Sequence, residues 1–309
     1  MKQFTNILYA TSLLDDETQG LKQSLSLMRN NKASLNILTL YPILPPEIKA
    51  QTDSYERFLK EQTQNSLLLA QKDVPCESKS LPLEIRSTDI PLGIELVREV
   101  IRKKYDLLIK EAEPKETGGF RALDMTLLRK APCAVWLARP IMHSREHIRV
   151  CVAVNPLDES SDGRELSIRL LQTARSVADD CSGVLEIVSF WEYAFESYMS
   201  HNRWASIADA EMIETLQGVQ SEHLKELHKL IKESQIEGKT KIHHLRGEAS
   251  KKMAQFTQEQ KIDIMVMGTL SRSGISGFFI GNTAENIFEE LTCSLLALKP
   301  HGYVSPVKI

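Results

Sequence analysis

The sequence predicts an α/β protein built as two tandem doubly wound domains, each with a five-stranded parallel sheet. Two observations lead to this prediction. Short apolar runs alternate with helix-length segments along the whole chain, and the second half repeats the first. Nearly all-apolar strands that alternate with helices are typical of a parallel sheet covered on both faces. The predicted strands are residues 6–10, 35–40, 81–86, 106–109 and 134–138 in the first half, and 149–154, 184–190, 241–245, 263–267 and 294–298 in the second.

The repeat is visible in the residues themselves. Residues 132–140 read PCAVWLARP and align with TCSLLALKP at 292–300, while YDLLI at 105–109 aligns with IDIMV at 262–266. The offset between the copies grows along the chain, so the second copy carries longer loops. The polar segment 139–147, which contains Pro140, is the predicted linker. We therefore expect one domain over residues 1–142 and a second over 146–309, packed on each other as a pseudo-dimer through their apolar last strands.

Composition narrows the class of protein. A formal charge of -3 and a pI near 6.3 argue against direct nucleic-acid binding, which usually requires a basic surface. The apolar runs fall well short of the roughly 20 residues that span a bilayer, and the first residues do not resemble a signal peptide. Five scattered cysteines without a Cys-x-x-Cys pair favour reduced thiols in a cytoplasm. We expect a cytoplasmic protein without membrane contact.

The most informative segment is 268–285, GTLSRSGISGFFIGNTAE, which follows a buried strand and opens a helix. Glycines let a backbone approach phosphate oxygens closely, and a helix N-terminus offers unpaired N–H groups with a partial positive charge. The candidate ligand- or nucleotide-binding residues here are Gly268, Ser271, Arg272, Ser273, Gly281, Asn282 and Thr283. The alternative is a loop without a ligand, in which Asn282 and Glu285 form a capping-box-like helix start.

This segment and the duplication resemble the universal stress proteins, in particular their tandem E type. The resemblance implies strand order 3-2-1-4-5 in each half, a role in stress and DNA-damage resistance, and nucleotide binding in some members. Three departures weaken the nucleotide pattern: Ser271 replaces a glycine, Asn282 replaces a Ser or Thr, and Asn155 replaces the aspartate that grips the base. The corresponding loop of the first half, 110–121, carries three glutamates and lacks the glycine spacing. ATP or another nucleotide is therefore expected in the second half only, bound weakly if at all.

An aromatic cluster follows the second strand of the second half, where open α/β sheets place ligands. Trp191, Tyr198 and Trp204 are predicted to line or roof an apolar pocket; the alternative is a small satellite core or a subunit contact. No metal site is predicted, because His243 and His244 point to opposite sides of a strand and His223 and His228 are poorly spaced on a helix. No nucleophile–base pair is evident.

These observations favour a non-catalytic, ligand-sensing or partner-binding module of the stress response. One alternative is an ATP-binding protein with slow hydrolysis. Another is a binder of an apolar or nucleotide-linked metabolite through the aromatic cluster. A small-molecule ligand is the expected partner, and a homodimer built on the internal pseudo-dimer is left open.

Overall fold

A computed structural model gives the architecture of the protein and describes residues 3–11, 18–76, 81–113, 120–158, 160–193, 209–269 and 281–309. Ten strands lie in these ranges: β1 Asn6–Thr11, β2 Ser34–Pro42, β3 Leu83–Thr88, β4 Leu107–Glu111, β5 Ala134–Ala138, β6 Arg149–Ala153, β7 Val184–Trp191, β8 Thr240–Arg246, β9 Ile264–Gly268 and β10 Ser294–Leu298. Eight α-helices are described: α1 Thr18–Asn31, α2 Thr52–Asp73, α3 Leu92–Lys103, α4 Ala122–Lys130, α5 Ser161–Asp180, α6 Asp209–Glu233, α7 Ala249–Glu259 and α8 Asn282–Glu290. Every predicted strand is confirmed, with bounds shifted by at most two residues.

The strands are ordered β3-β2-β1-β4-β5-β10-β9-β6-β7-β8. Each half thus has the internal order 3-2-1-4-5, and all pairs within a half are parallel. The expected order is confirmed. One detail of the expectation needs correction, because the halves do not form two separate sheets. The last strands pair antiparallel, with Leu296 opposite Trp136, and merge both halves into one ten-stranded sheet.

The merged sheet follows from the apolar character of its two central strands. If β5 were an edge strand, it would expose unpaired backbone groups. It would also expose apolar side chains such as Val135 and Leu137, which are buried in the structure. Pairing β5 with β10 satisfies those groups and covers both strands at once. The predicted pseudo-dimer contact through the last strands is therefore confirmed, and its physical form is a continuous hydrogen-bonded ladder.

Two apolar layers lie on the two faces of the sheet. One layer packs α3, α4, α7 and α8 against alternate strand residues, including Leu108, Val135, Met265 and Leu295. The other packs α1, α5 and α6 against the remaining strand residues, including Ile109, Trp136, Ile264 and Leu296. Each layer runs across both halves, so the core is shared. Within the described ranges, none of the helices combines the length and apolar character that crossing a bilayer requires.

Candidate ligand site

A cavity of about 460 Å³ lies in the second half at the carboxyl ends of β6 and β9. These neighbouring strands are the first and fourth of the 3-2-1-4-5 order, and the chain leaves them toward opposite sides. This is the topological switch point, where open α/β sheets bind their ligands. The order of the strands alone therefore creates a crevice at this place, whatever side chains line it.

The cavity walls come from both faces of the sheet. Helix α5 contributes Leu166 and Leu170 from one face, and helix α7 contributes Met253 from the other. Strand residues Val188 and Met267 supply the floor. The remaining lining residues are Ala153, Val154, Asn155, Asp158, Gly163, Ser167, Phe190, Ala249, Gly268, Gly281, Asn282, Thr283, Ala284, Glu285 and Ile287. The result is a mostly apolar pocket with a few polar groups, as is typical of small-molecule sites.

Four of the predicted nucleotide-site residues come together at one side of this cavity. Gly268 ends β9, and Gly281, Asn282 and Thr283 form the start of α8. Gly281 is the N-cap residue, and among the described residues no side chain caps the helix. The capping-box alternative for Asn282 and Glu285 is thus wrong, because α8 begins one residue earlier than that arrangement requires. The first turn of a helix presents backbone N–H groups that no intrahelical carbonyl accepts, and here that turn borders the cavity.

Gly268 packs closely against α5. A Cβ atom there would lie 2.8 Å from a δ-carbon of Leu166, so a larger residue would force the Leu166 side chain to shift. A glycine lets β9 approach α5 at the cavity floor.

Asn155 follows β6 and also lines the cavity. Its Oδ1 atom accepts a hydrogen bond from the backbone N–H of Leu157 at 3.2 Å, which holds a local turn. The carboxamide oxygen is therefore engaged within the chain, and the Nδ2 donor is the group with which Asn155 can address a ligand. An aspartate here would present a charged acceptor instead.

The charged residues in the described lining are both acidic. Asp158 accepts hydrogen bonds from the N–H and hydroxyl of Ser160 and packs so closely on Gly163 that a Cβ there would lie 2.2 Å from its carboxyl carbon. Glu285 lies in the first turn of α8 and forms an ion pair with Arg129 of the first half. Two carboxylates at the site disfavour a highly charged anion such as a triphosphate.

The remaining predicted residues divide into two groups. Ser271, Arg272 and Ser273 of the glycine-rich loop lie outside the described residues, as do Tyr198 and Trp204 of the aromatic cluster. Trp191 is described and does not line the cavity. It is buried on the α6 side, where its ring stacks on His244 at 6.0 Å between centroids.

Trp191 therefore does not line this cavity, contrary to the prediction, and strand alternation gives the reason. Val188 and Phe190 of β7 line the cavity from the α7 side, so the next residue of the strand points to the α6 side, away from that wall. There His223 Nδ1 lies 2.9 Å from His244 Nε2, and burial lowers the pKa of His223 to about 4. These contacts support the packing alternative for Trp191.

The other reactive side chains give no site within the described ranges. No group of three His, Cys, Asp or Glu residues there has an arrangement that could hold a metal ion. Cys133, Cys151 and Cys293 are buried, and burial raises the pKa of each thiol, to about 12 for Cys133 and Cys293. A thiol with so high a pKa is not a nucleophile near neutral pH.

Several lining residues were not predicted from the sequence. Asp158 follows β6 and Gly163 lies in the first turn of α5. Asp158 carried a weak signal, since it follows the first strand of the second half by a few residues and precedes α5. The apolar contributions of Met253 and Leu166 had no signal, because any amphipathic helix supplies such residues.

Comparison with known proteins agrees with this geometry. Residues 150–299 match the universal stress protein family. Universal stress protein E of Photorhabdus laumondii is 31% identical over 217 residues, which cover 69% of this chain and 67% of that protein. Universal stress protein E of Escherichia coli is 27% identical over the same shares of both chains.

Solved structures share the fold over nearly the whole chain. A functionally unknown protein from Pseudomonas aeruginosa has a TM-score of 0.71 at 17% identity, and the match covers 97% of this chain and 94% of that one. A universal stress protein from Archaeoglobus fulgidus has a TM-score of 0.60 at 14% identity, covering 96% and 99%. At these identities the likeness concerns architecture alone.

Proposed function

Because this chain belongs to the universal stress protein family, we propose that it is a cytoplasmic, non-catalytic module of the stress response that binds a small molecule in its second half. The observation that carries the proposal is the cavity of about 460 Å³ at the switch point between β6 and β9. Its floor is apolar, and the N-terminus of α8 borders it. Binding there would change the surface around α7 and α8, which is how such a module can report a ligand.

The chemistry of the lining favours a neutral or weakly charged ligand with an apolar body. Leu166, Val188 and Met253 offer apolar contact, while Asn155 and the first turn of α8 offer hydrogen-bond donors. Asp158 and Glu285 oppose a polyanion. A nucleoside or a nucleotide-linked metabolite fits this combination better than free ATP does.

The proposal includes the absence of useful ATP hydrolysis. Phosphoryl transfer rests on positioned Mg²⁺, donors around the phosphates and a group that orients water. The sequence has no Walker lysine, and the carboxylates of the described lining are engaged, Asp158 with Ser160 and Glu285 with Arg129. ATP binding with slow hydrolysis stays the alternative, favoured by the available N–H groups of α8.

Titration calorimetry separates the two. We expect adenosine to bind the wild-type protein more tightly than MgATP, and MgATP to bind with a dissociation constant in the millimolar range. Loss of a charge-assisted hydrogen bond to the base corresponds to about ten- to a hundredfold in affinity. The double variant Asn155→Asp, Ser271→Gly should therefore gain MgATP affinity. Micromolar MgATP binding by the wild type, or phosphate release at a rate well above the buffer blank, would favour the alternative.

A further inference from the structure

The first half carries charged residues at the positions that form the cavity in the second half. Lys110 is the fourth residue of β4, as Met267 is the fourth of β9, and Glu111 corresponds in the same way to Gly268. Asp124 is the third residue of α4, as Ala284 is the third of α8. Met267, Gly268 and Ala284 all line the second-half cavity. The copies therefore differ in chemistry at three positions of the expected ligand site.

Lys110 and Asp124 form an ion pair inside the first half. The Nζ atom of Lys110 lies 3.2 Å from Asp124 Oδ1 and donates to the backbone carbonyl of Glu111 at 2.8 Å. The second carboxylate oxygen of Asp124 accepts a hydrogen bond from the N–H of Glu113 at 3.2 Å. Lys110 is 2% exposed and Asp124 is completely buried. Both charges are thus out of water; they face each other as an ion pair, and each side chain also makes a hydrogen bond to the backbone.

Glu111 fills the space on the other side of β4. Its Oε2 atom accepts a hydrogen bond at 2.7 Å from the N–H of Gly20, in the first turn of α1. Gly20 is the counterpart of Gly163, which lines the cavity in the second half. The glutamates of the 110–121 loop were expected to repel a phosphate; Glu111 instead accepts a hydrogen bond from the start of α1, the counterpart of the α5 segment that lines the second-half cavity.

From these contacts we infer that the Lys110–Asp124 ion pair and Glu111 close the ligand crevice of the first half, so that the chain holds one ligand and holds it in the second half. The stoichiometry rests on the proposed function. The closure of the first half does not, because it concerns only this chain's own residues.

A double-mutant cycle tests, without any ligand, the ion pair on which the closure depends. We expect Lys110→Met and Asp124→Ala each to lower the urea midpoint strongly, because each leaves a buried charge without its partner. The double variant should recover most of the loss. The matched control is the Lys22–Asp73 pair, of the same two residue types at 2.7 Å but partly exposed, whose cycle should be additive. An additive cycle for Lys110 and Asp124 would overturn the inference.

Xenon shows whether the pair excludes a ligand-sized space, since xenon enters apolar cavities. In crystals of the Lys110→Met, Asp124→Ala variant under xenon pressure, we expect a xenon peak between β4 and α4 that wild-type crystals lack. A peak at that place in the wild type, or no new peak in the variant, would contradict closure. Neither measurement depends on the second-half ligand, so the proposed function can fail while the closure stands.

Discussion

Arg129, near the end of α4 in the first half, forms an ion pair with Glu285 in the first turn of α8, at the rim of the second-half cavity. Tyr303 donates a hydrogen bond to the carbonyl of the same arginine. The first half therefore influences the charge at the candidate site although it contributes no lining residue that the structure describes.

The Arg129–Glu285 pair should influence the affinity of the cavity for anions such as MgATP. Glu285→Gln removes a negative charge from the rim, whereas Arg129→Met leaves that charge without its partner. We expect MgATP affinity to fall in the order Glu285→Gln, wild type, Arg129→Met, with steps of at most about fivefold because a partly exposed pair contributes roughly 1 kcal/mol or less. Titration calorimetry measures the order. Lys130→Met is the control, since it removes a positive charge from the neighbouring position without breaking the pair.

Lys299 should give the protein a distinctive pH dependence. It follows β10, is buried, donates a hydrogen bond to the carbonyl of Leu128 at the end of α4, and lies 4.6 Å from the ring centre of Tyr303. Burial lowers its pKa from 10.5 to about 7. Between these pH values the unfolded chain binds more protons than the folded one, so the free energy of unfolding should rise with pH.

The Lys299→Met variant should lose this rise. We expect the wild type to gain roughly 2–4 kcal/mol relative to the variant between pH 7 and pH 9.5, as measured by urea unfolding. Lys60→Met, at an exposed position of α2, serves as the control for the loss of a lysine. Parallel pH profiles for the wild type and Lys299→Met would show that the amine stays charged in the folded state.

The stability of the β5–β10 junction, where the two halves meet, should depend on Trp136. This residue is 2% exposed in β5, pairs with Leu296 across the antiparallel ladder, and donates from its indole N–H to Gln23 Oε1 at 2.8 Å. Trp136→Ala should cost about 3–5 kcal/mol of stability through the cavity it leaves. Trp136→Phe should cost less, about 1–2 kcal/mol, chiefly by leaving the Gln23 amide without its donor. If urea unfolding gave equal losses of stability for the two variants, the hydrogen bond, and not the packing, would stabilise the β5–β10 junction.

Much of the fold could be predicted from the sequence, for identifiable physical reasons. The apolar run at β5 predicted a covered last strand, and alternation of strands and helices predicted a sheet with two covered faces. The merger into one sheet was missed because backbone pairing between Trp136 and Leu296 depends on where two distant edges meet. Apolar patterning reports that an edge is covered and does not report what covers it.

Only part of the candidate ligand site could be predicted from the sequence. Gly268, Gly281 and Asn155 lie at the cavity because the ends of parallel strands share one edge of the sheet, a consequence of topology. Trp191 was placed on the wrong side because a cluster in sequence says nothing about which alternate residue of β7 faces which helix. The Lys110–Asp124 pair joins residues from two elements, and their complementary charges acquire meaning only once β4 and α4 are seen in contact.

The second-half cavity is the centre of this account, and the protein as purified can test it. Ala249 begins α7 at the cavity wall, and Leu92 begins α3 at the corresponding place in the first half. Ala249→Trp should fill the cavity, while Leu92→Trp makes a comparable change where no ligand is expected. The measurement is native mass spectrometry of the wild type and both variants, purified identically under non-denaturing conditions. We predict one small molecule per chain in the wild type and in Leu92→Trp, and none in Ala249→Trp. Retention of the molecule by Ala249→Trp, its loss only from Leu92→Trp, or a bare wild-type chain that also takes up no added adenosine would contradict the account.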